Sequence, residues 1–363
     1  MSCRMFDPGR PYGFHIELTD KCNAGCPMCP RTNALDFCKP NRDVVHNVEL
    51  GLADFERHFS PDFCRRVSEV IFGGAFGDPL AGSQLLPIVE HLTEHGVKVA
   101  VSTNGGLRKP DWWQRLGEAM KRTGSRLELH LDGLADTNHL YRVNTRWDRI
   151  MANARAYIET GARAEWHFII FRHNEHQIAE AHRLSREMGF ASFTLIDTIR
   201  FSGGPKYHYV MPGGEERALE LPSARAADYA LDDGGTAVLE RPVAEKTEAV
   251  REISPDLAAL IKALPRVGVN GIDCKSAGEN RAYISAHGQV SACCWVTGAP
   301  EEASFFERHG LQRERYNIRN RSLEEILLDE PFASHYATAW AEDSLKNCRH
   351  KCGRMLRNKR NTL

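Results

Sequence analysis

The sequence lacks the features that would carry it out of an aqueous, reducing compartment. No apolar run approaches the length of a membrane-spanning helix, roughly 18 residues. The opening MSCRMFDPGRPYG has none of the basic-then-apolar layout of a secretory signal, so a cytoplasmic location and no membrane partner are expected. An excess of charge of either sign is missing too. Lys and Arg number 47 against 48 Asp and Glu, a formal net charge of -1, which argues against bulk attraction to nucleic acid. The one basic concentration, Lys346, Arg349, Lys351, Arg354, Arg357, Lys359 and Arg360, reads most simply as a solvated tail. Internal repeats and low-complexity tracts are absent. With 42% hydrophobic and 26% charged residues, the 363-residue chain has a globular composition.

What the sequence does have is cysteine, eleven in all. In a reducing compartment that number points to metal or redox chemistry rather than to disulfides.

Periodicity predicts alternating strands and helices over residues 13-200. Strands are expected at Phe14-Leu18, Glu69-Phe72, Val97-Ser102, Leu127-Asp132, Glu165-Phe171 and Ser192-Ile196. Helices are expected at Gln84-His95, Asp111-Thr123, Trp147-Thr160 and Asn174-Met188, each closed by a glycine: Gly96, Gly124, Gly161 and Gly189. Such a run implies an α/β fold, a parallel sheet covered by helices. Within the strands, apolar rows (Phe14, Ile16, Leu18; Leu127, Leu129, Leu131; Trp166, Phe168, Ile170) alternate with polar ones. If the apolar rows meet the helices, the polar rows line an interior that is roomy rather than filled with branched aliphatics. His15, Glu17, His130 and His167 are the candidate catalytic or substrate-contacting groups there, with paired, hydrogen-bonded packing as their alternative role.

The strongest local signal is Cys22-x3-Cys26-x2-Cys29, directly after the first strand. Three thiolates can hold three irons of a [4Fe-4S] cube and leave the fourth open to a substrate or cofactor. A zinc knuckle completed by Cys38 or His46 is the alternative. This loop resembles the signature of the radical S-adenosylmethionine (SAM) superfamily. The landmarks that follow it in order are similar as well: Met28 within the loop, the turn Gly73-Gly74-Ala-Phe-Gly-Asp78, the segment Ser102-Thr-Asn104-Gly, and Leu131-Asp132-Gly133 followed by Arg142. The resemblance covers residues 14-200 and implies a partial (β/α)6 TIM-like barrel. It also implies a catalytic [4Fe-4S] cluster on Cys22, Cys26 and Cys29, and SAM bound through Met28, Gly73, Gly74, Asp78, Ser102, Asn104, Asp132 and Arg142. Asp78 stands where the family more often has Glu. A reductant such as flavodoxin or ferredoxin follows from the same resemblance.

A second set, Cys274, Cys293, Cys348 and Cys352, lies near the C-terminus. The stretch from Ala282 to Cys293, with Gly288 five residues before that cysteine, resembles the hairpin that opens a SPASM or twitch domain. With five cysteines in this region, the resemblance implies one auxiliary [4Fe-4S] cluster rather than two. A four-cysteine structural zinc is the alternative, and Cys294 competes with Cys293 as ligand. Cys3, Cys38 and Cys64 read as small buried hydrophobes. The expected organisation is a barrel over 1-202, a connector over 203-269 with a helical run near Ser254-Leu264, and an auxiliary-cluster domain over 270-363.

A fully ligated auxiliary cluster suits electron transfer, hence a net oxidation. Related peptide maturases often begin with a recognition domain, whereas this chain reaches its cysteine loop by residue 22. A polar small molecule is therefore expected as substrate ahead of a peptide. Redox-neutral epimerisation and a non-catalytic metal-binding regulator remain the other readings.

Overall fold

The computed structural model describes residues 5-198, 200-201, 204-229, 231, 235-239, 268-269, 272-297, 306-307 and 310-341, and the stretch 345-352. The helical run expected at Ser254-Leu264, most of the expected connector, Cys3 and most of the basic tail lie outside the described residues.

The chain divides into two compact units. One comprises residues 14-240 and 284-288, the other residues 1-13, 241-283 and 289-363. The first contains β1 (Tyr12-Ile16, entering at Phe14), β2 (Val67-Phe72), β3 (Lys98-Thr103), β4 (Arg126-His130), β5 (Arg163-Ile169) and β6 (Ser192-Asp197). These six strands lie side by side in chain order. The pairs from β2 to β6 are parallel.

Helices α1 (Leu85-Glu94), α2 (Pro110-Lys121), α3 (Trp147-Ile158) and α4 (Ile178-Met188) follow β2, β3, β4 and β5 in turn. Their order makes the unit the expected partial (β/α)6 barrel. Each helix stops where Gly96, Gly124, Gly161 or Gly189 takes a positive φ, between 64° and 86°, a conformation that a side chain disfavours. The rows predicted to face the helices are buried: Phe14, Ile16, Leu127, Leu129, Trp166 and Phe168 are at most 1% exposed. The alternate positions, Arg126, Glu128 and His130 of β4 and Glu165, His167 and Ile169 of β5, are only half-buried.

The chain after β6 departs from the expected connector. Strands β7 (Lys206-Val210) and β8 (Glu216-Glu220) form an antiparallel hairpin, and β9 (Gly235-Leu239) extends the sheet in parallel beside β6. Residues up to 240 thus belong to the barrel unit. Two-residue alternation in Lys206-Tyr-His-Tyr-Val210 marks the first of these strands, with Tyr209 2% exposed.

In the other unit the N-terminal segment is tied to the residues beyond Cys274. Asn280 donates from Nδ2 to the carbonyls of Asp7, Arg10 and Pro11, at 3.0, 3.1 and 3.2 Å. Phe332 stacks on Phe6 and Tyr316. Short α5 (Lys275-Gly278) is followed by β10 (Arg281-Ile284) and β11 (Val290-Ser291), adjacent in the sheet order as the expected hairpin requires. Helices α6 (Leu323-Leu328), α7 (Glu330-Ala341) and α8 (Lys346-Cys352) complete it. No helix among the described residues is long and apolar enough to cross a membrane.

Candidate active site at the strand ends

The loop after β1 carries Cys22, Cys26 and Cys29 into one apolar cluster with Ala24, Met28, Cys38, Tyr141, Val143 and Phe171. Two of the sulfurs meet N-H donors from other strand ends. Asn104 Nδ2 is 3.7 Å from Cys22 Sγ, and Arg142 Nη1 is 3.7 Å from Cys26 Sγ. Burial pushes the Cys26 thiol up to about 11, with Arg142 working against that rise. Burial also raises the Cys22 thiol. A buried thiolate therefore needs a cation beside it, which a bound iron would supply.

A single zinc holds its thiolates at about 2.3 Å, so its sulfurs can be no more than about 4.6 Å apart. Among the described residues no three cysteine sulfurs lie within 4.8 Å of one another. The donor set of three thiols in one loop fits a [4Fe-4S] cluster.

Each donor is held in turn by a buried carboxylate. Asp132, fully buried, accepts Arg142 Nε at 2.6 Å through Oδ2 and the Ile169 N-H at 2.6 Å through Oδ1. Burial opposes charge on Arg142, but Asp132 and then Cys26 hold the guanidinium above its usual range. Asp78, 5% exposed, accepts the N-H of Leu80 and the Thr103 hydroxyl on Oδ1. On Oδ2 it accepts that hydroxyl again, with the N-H and the side-chain amide of Asn104. Asp78 thus fixes the amide that reaches Cys22, and its own N-H donates to the Lys21 carbonyl at 2.8 Å.

The glycine turn after β2 is seated against β1. A Cβ on Gly77 would stand 1.7 Å from the Thr19 carbonyl oxygen, and one on Gly74 would stand 2.4 Å from the Gly77 oxygen, so neither position admits a side chain. Glu17 and His15, expected near substrate, brace this turn. Glu17 Oε1 accepts the N-H groups of Phe76 and Gly77 at 2.6 and 3.0 Å, and His15 Nε2 is 3.0 Å from the Gly73 carbonyl. Ser102 is turned to Glu128, to which its hydroxyl donates.

His130 and His167 do face each other within the barrel. Their rings are 5.0 Å apart at 86°, and Glu165 lies 3.6 Å from His167. Burial, then the charges of His167 and Arg142, keeps His130 neutral, its pKa well below the ordinary imidazole value. Glu165 is held at about 2, chiefly by its hydrogen bond to His167 and despite burial.

Sequence reasoning passed over the residues that cover the cysteine loop from beyond β6. Arg200 Nη1 donates to the Met28 carbonyl at 2.8 Å, Tyr207 to Pro27 at 3.1 Å, and Tyr209 to Leu140 at 2.7 Å. Only the alternation of β7 could have signalled them.

In the other unit, the Cys-x3-Cys spacing of Cys348 and Cys352 is that of one helical face, since both lie in α8. Cys274 caps the N-terminus of α5. Burial raises the Cys274 thiol most, and the charges of Cys293, Cys352 and Cys348 raise it further. Asn347 Nδ2 binds the Trp295 carbonyl at 2.9 Å, tying α8 to the turn after Cys293.

Comparison with known proteins gives these arrangements a context. The AdoMet-dependent heme synthase of Methanosarcina barkeri is 25% identical over 209 residues, 56% of this chain and 55% of that protein. The tungsten-containing aldehyde ferredoxin oxidoreductase cofactor-modifying protein of Pyrococcus furiosus is 25% identical over 104 residues, 29% of this chain and 27% of that one. The chain therefore spans about half or less of the curated relatives it matches. Among solved structures, Streptococcus suis SuiB bound to S-adenosylmethionine superposes with a TM-score of 0.57 at 15% identity, covering 91% of this chain and 68% of SuiB. The enzyme anSMEcpe with bound AdoMet gives 0.52 at 14% identity, over 93% and 80%. The family model of the Radical SAM superfamily matches residues 16-200, from the last residue of β1 to just past β6. That match spans half the chain and the whole strand-end constellation, and the protein belongs to the radical SAM superfamily.

Proposed function

We propose that this radical SAM enzyme removes a hydrogen atom from a polar small molecule held within the barrel and completes a net two-electron oxidation. Cys22, Cys26 and Cys29 would hold the catalytic [4Fe-4S] cluster, which supplies a 5'-deoxyadenosyl radical from bound SAM when reduced. Around it the chain's own residues orient and shield. Arg142 and Asn104 direct N-H groups at two sulfurs, Asp132 and Asp78 fix those donors, and the β7-β8 hairpin covers the loop. His130 offers a neutral imidazole that can take the proton released when a carbinol or amine carbon is oxidised.

After the hydrogen atom leaves, the substrate still has to lose one proton and one electron. The oxidation reading is supported by the grouping of four cysteines in this unit: Cys348 and Cys352 share one face of α8, Asn347 of α8 reaches the turn after Cys293, and Cys274 is raised by burial and then by the nearby Cys293, Cys352 and Cys348. An auxiliary [4Fe-4S] cluster on those four cysteines would supply the electron acceptor. Cys293 is taken as the fourth ligand ahead of Cys294 on its spacing from Gly288.

A peptide substrate is the second reading. It is supported by the likeness to SuiB, solved with its precursor peptide SuiA, and to anSMEcpe, solved with a Cp18Cys peptide.

The test uses enzyme reconstituted anaerobically, with SAM, dithionite and panels of C-deuterated polyols, amino alcohols and peptides. Deuterium reaching 5'-deoxyadenosine from the small molecules supports the first reading, and deuterium from peptides alone overturns it. Folded Cys348→Ala enzyme should still transfer deuterium but lose oxidised product. Oxidised product at wild-type yield would refute the electron-acceptor role of that cluster, and an epimer with no oxidised product from the wild type would favour epimerisation.

A further inference from the structure

The barrel holds a second constellation of ligand type, away from the cysteines. Strand β4 turns Glu128 and His130 to one face, because residues two apart in a strand share a side. Register then places His167 of β5 directly opposite His130, and Glu165 opposite Glu128. Opposed residues bring their Cβ atoms to about 5 Å. One carboxylate oxygen of Glu128 and one nitrogen from each imidazole lie within 4.8 Å of one another. All three residues are partly buried.

Two imidazoles and one carboxylate form a donor set for divalent first-row metals that leaves coordination positions open. The surroundings have the form of an outer shell. Glu165 stands 3.6 Å from His167 Nε2, the place of the carboxylate that commonly orients a metal-binding imidazole. Glu128 is fixed by the Ser102 hydroxyl and by Arg126 Nε at 2.9 Å. Among the described residues neither ring nitrogen of His130 has a hydrogen-bond partner, so a lone pair faces the interior.

Arg126 is shared between Glu69 and Glu128, and Arg163 pairs with Glu165 at 2.8 Å.

We propose that Glu128, His130 and His167 bind one divalent first-row transition-metal ion inside the barrel, with open positions for an oxygen ligand from a polar substrate. The site rests on the reading of the barrel interior as the substrate chamber. With the ion bound, His130 is a ligand rather than the proton acceptor; the ion would instead hold a hydroxyl or carboxylate oxygen of the substrate and acidify a bound hydroxyl, the group whose proton must leave in an alcohol oxidation.

The other compact group, Asp20, His46 and His287, provides an internal control. Both its histidines are exposed, whereas His130 and His167 are partly buried.

The experiment titrates manganese(II), which prefers nitrogen and oxygen ligands to thiolates, into oxidised, cluster-loaded enzyme under argon. Free ion is read by electron paramagnetic resonance, and pulsed spectra of the bound ion are searched for imidazole nitrogen coupling. One saturable ion per chain with nitrogen coupling is expected in the wild type. Binding should be lost in His130→Gln and His167→Gln, fall by about 10- to 100-fold in Glu165→Gln, and stay unchanged in His46→Gln.

Absence of saturable binding, absence of nitrogen coupling in the wild type, or loss in His46→Gln alone would overturn the site. The pulsed measurement needs no variant, so a variant that misfolds leaves the question decided. No substrate or SAM is present, so a negative result leaves hydrogen abstraction untouched. An ion bound by enzyme that abstracts hydrogen from no polar small molecule upholds the site and removes the substrate reading.

Discussion

Replacing Asp78 by Asn changes one atom in the buried joint between the glycine turn, the end of β3 and the cysteine loop. The carboxylate accepts from Leu80 N-H, the Thr103 hydroxyl, Asn104 N-H and the Asn104 amide, all at 2.8 to 3.0 Å. An amide has only one acceptor oxygen. If its NH2 takes the Oδ1 place, the Leu80 N-H loses its partner; if it takes the Oδ2 place, both Asn104 donors do. The cheaper orientation strands one buried backbone donor, at about 1-3 kcal/mol. The remaining bonds also lose the charge that made them roughly twice as strong as neutral ones, so a total of about 2-4 kcal/mol is expected. For a unit of this size each kcal/mol lowers the melting temperature by about 2-4 °C, which predicts a fall of roughly 5-15 °C. The assay is anaerobic melting followed by far-UV circular dichroism, with iron content and SAM affinity measured on the same preparations. Iron should be retained, and SAM should bind more weakly because the Asn104 amide is no longer fixed beside Cys22. A midpoint within about 1 °C of wild type, with unchanged SAM affinity, would refute the assignment of Asp78 as the anchor of that amide.

Two further outcomes follow from the cysteine sets and the turn. Reconstituted protein should carry about eight iron and eight sulfide per chain, and the Cys22→Ala, Cys26→Ala, Cys29→Ala triple variant about four of each. Zinc in place of iron in that variant would remove the auxiliary cluster. Gly77→Ala drives a methyl group into the Thr19 carbonyl at 1.7 Å, a backbone-to-backbone clash that rotamers cannot relieve, and should cost at least the roughly 1-3 kcal/mol typical of overpacking. Gly213→Ala, with nothing within 4 Å of the new carbon, should melt like wild type. Equal melting of the two variants would show that the turn is free to move away from β1.

The parts of the fold legible in the sequence are those governed by period. The apolar rows of β4 and β5 identified the helix-facing side, and the structure buries Leu127, Leu129, Trp166 and Phe168 there. Strand starts were read late at Phe14, Leu127 and Glu165, whereas pairing begins at Tyr12, Arg126 and Arg163. The ends were read two residues long, at Leu18, Asp132 and Phe171, where the strands stop at Ile16, His130 and Ile169. The expected helix Asn174-Met188 begins instead at Ile178, because residues 175-177 tighten into a single turn held by Asn174. The β7-β8 hairpin was missed since its strands are five residues long and half polar, and their stability comes from Tyr207 and Tyr209 reaching back to Pro27 and Leu140. Partners of this kind are 69 to 180 residues away in sequence and leave no local trace.

The same limit governs the inward-facing row. Alternation said that His15, Glu17, His130 and His167 share the inner side, and it treated them as equivalent. Backbone geometry separates them. A turn with three glycines exposes N-H and carbonyl groups that no side chain of its own covers, so the nearest strand must supply the partners. Glu17 and His15 are consumed in that way, while His130 and His167 lie on strands whose following loops satisfy themselves through Asn138 and Asn174. Two acids, Asp132 and Asp78, are spent likewise on Arg142 and Asn104 before any ligand arrives. Their lone pairs are already occupied by protein donors, and the groups left to meet a bound cofactor are the N-H donors they hold. A substitution at either acid should therefore first be felt as a change in where the donor points, and only through that in how the cluster and SAM are held.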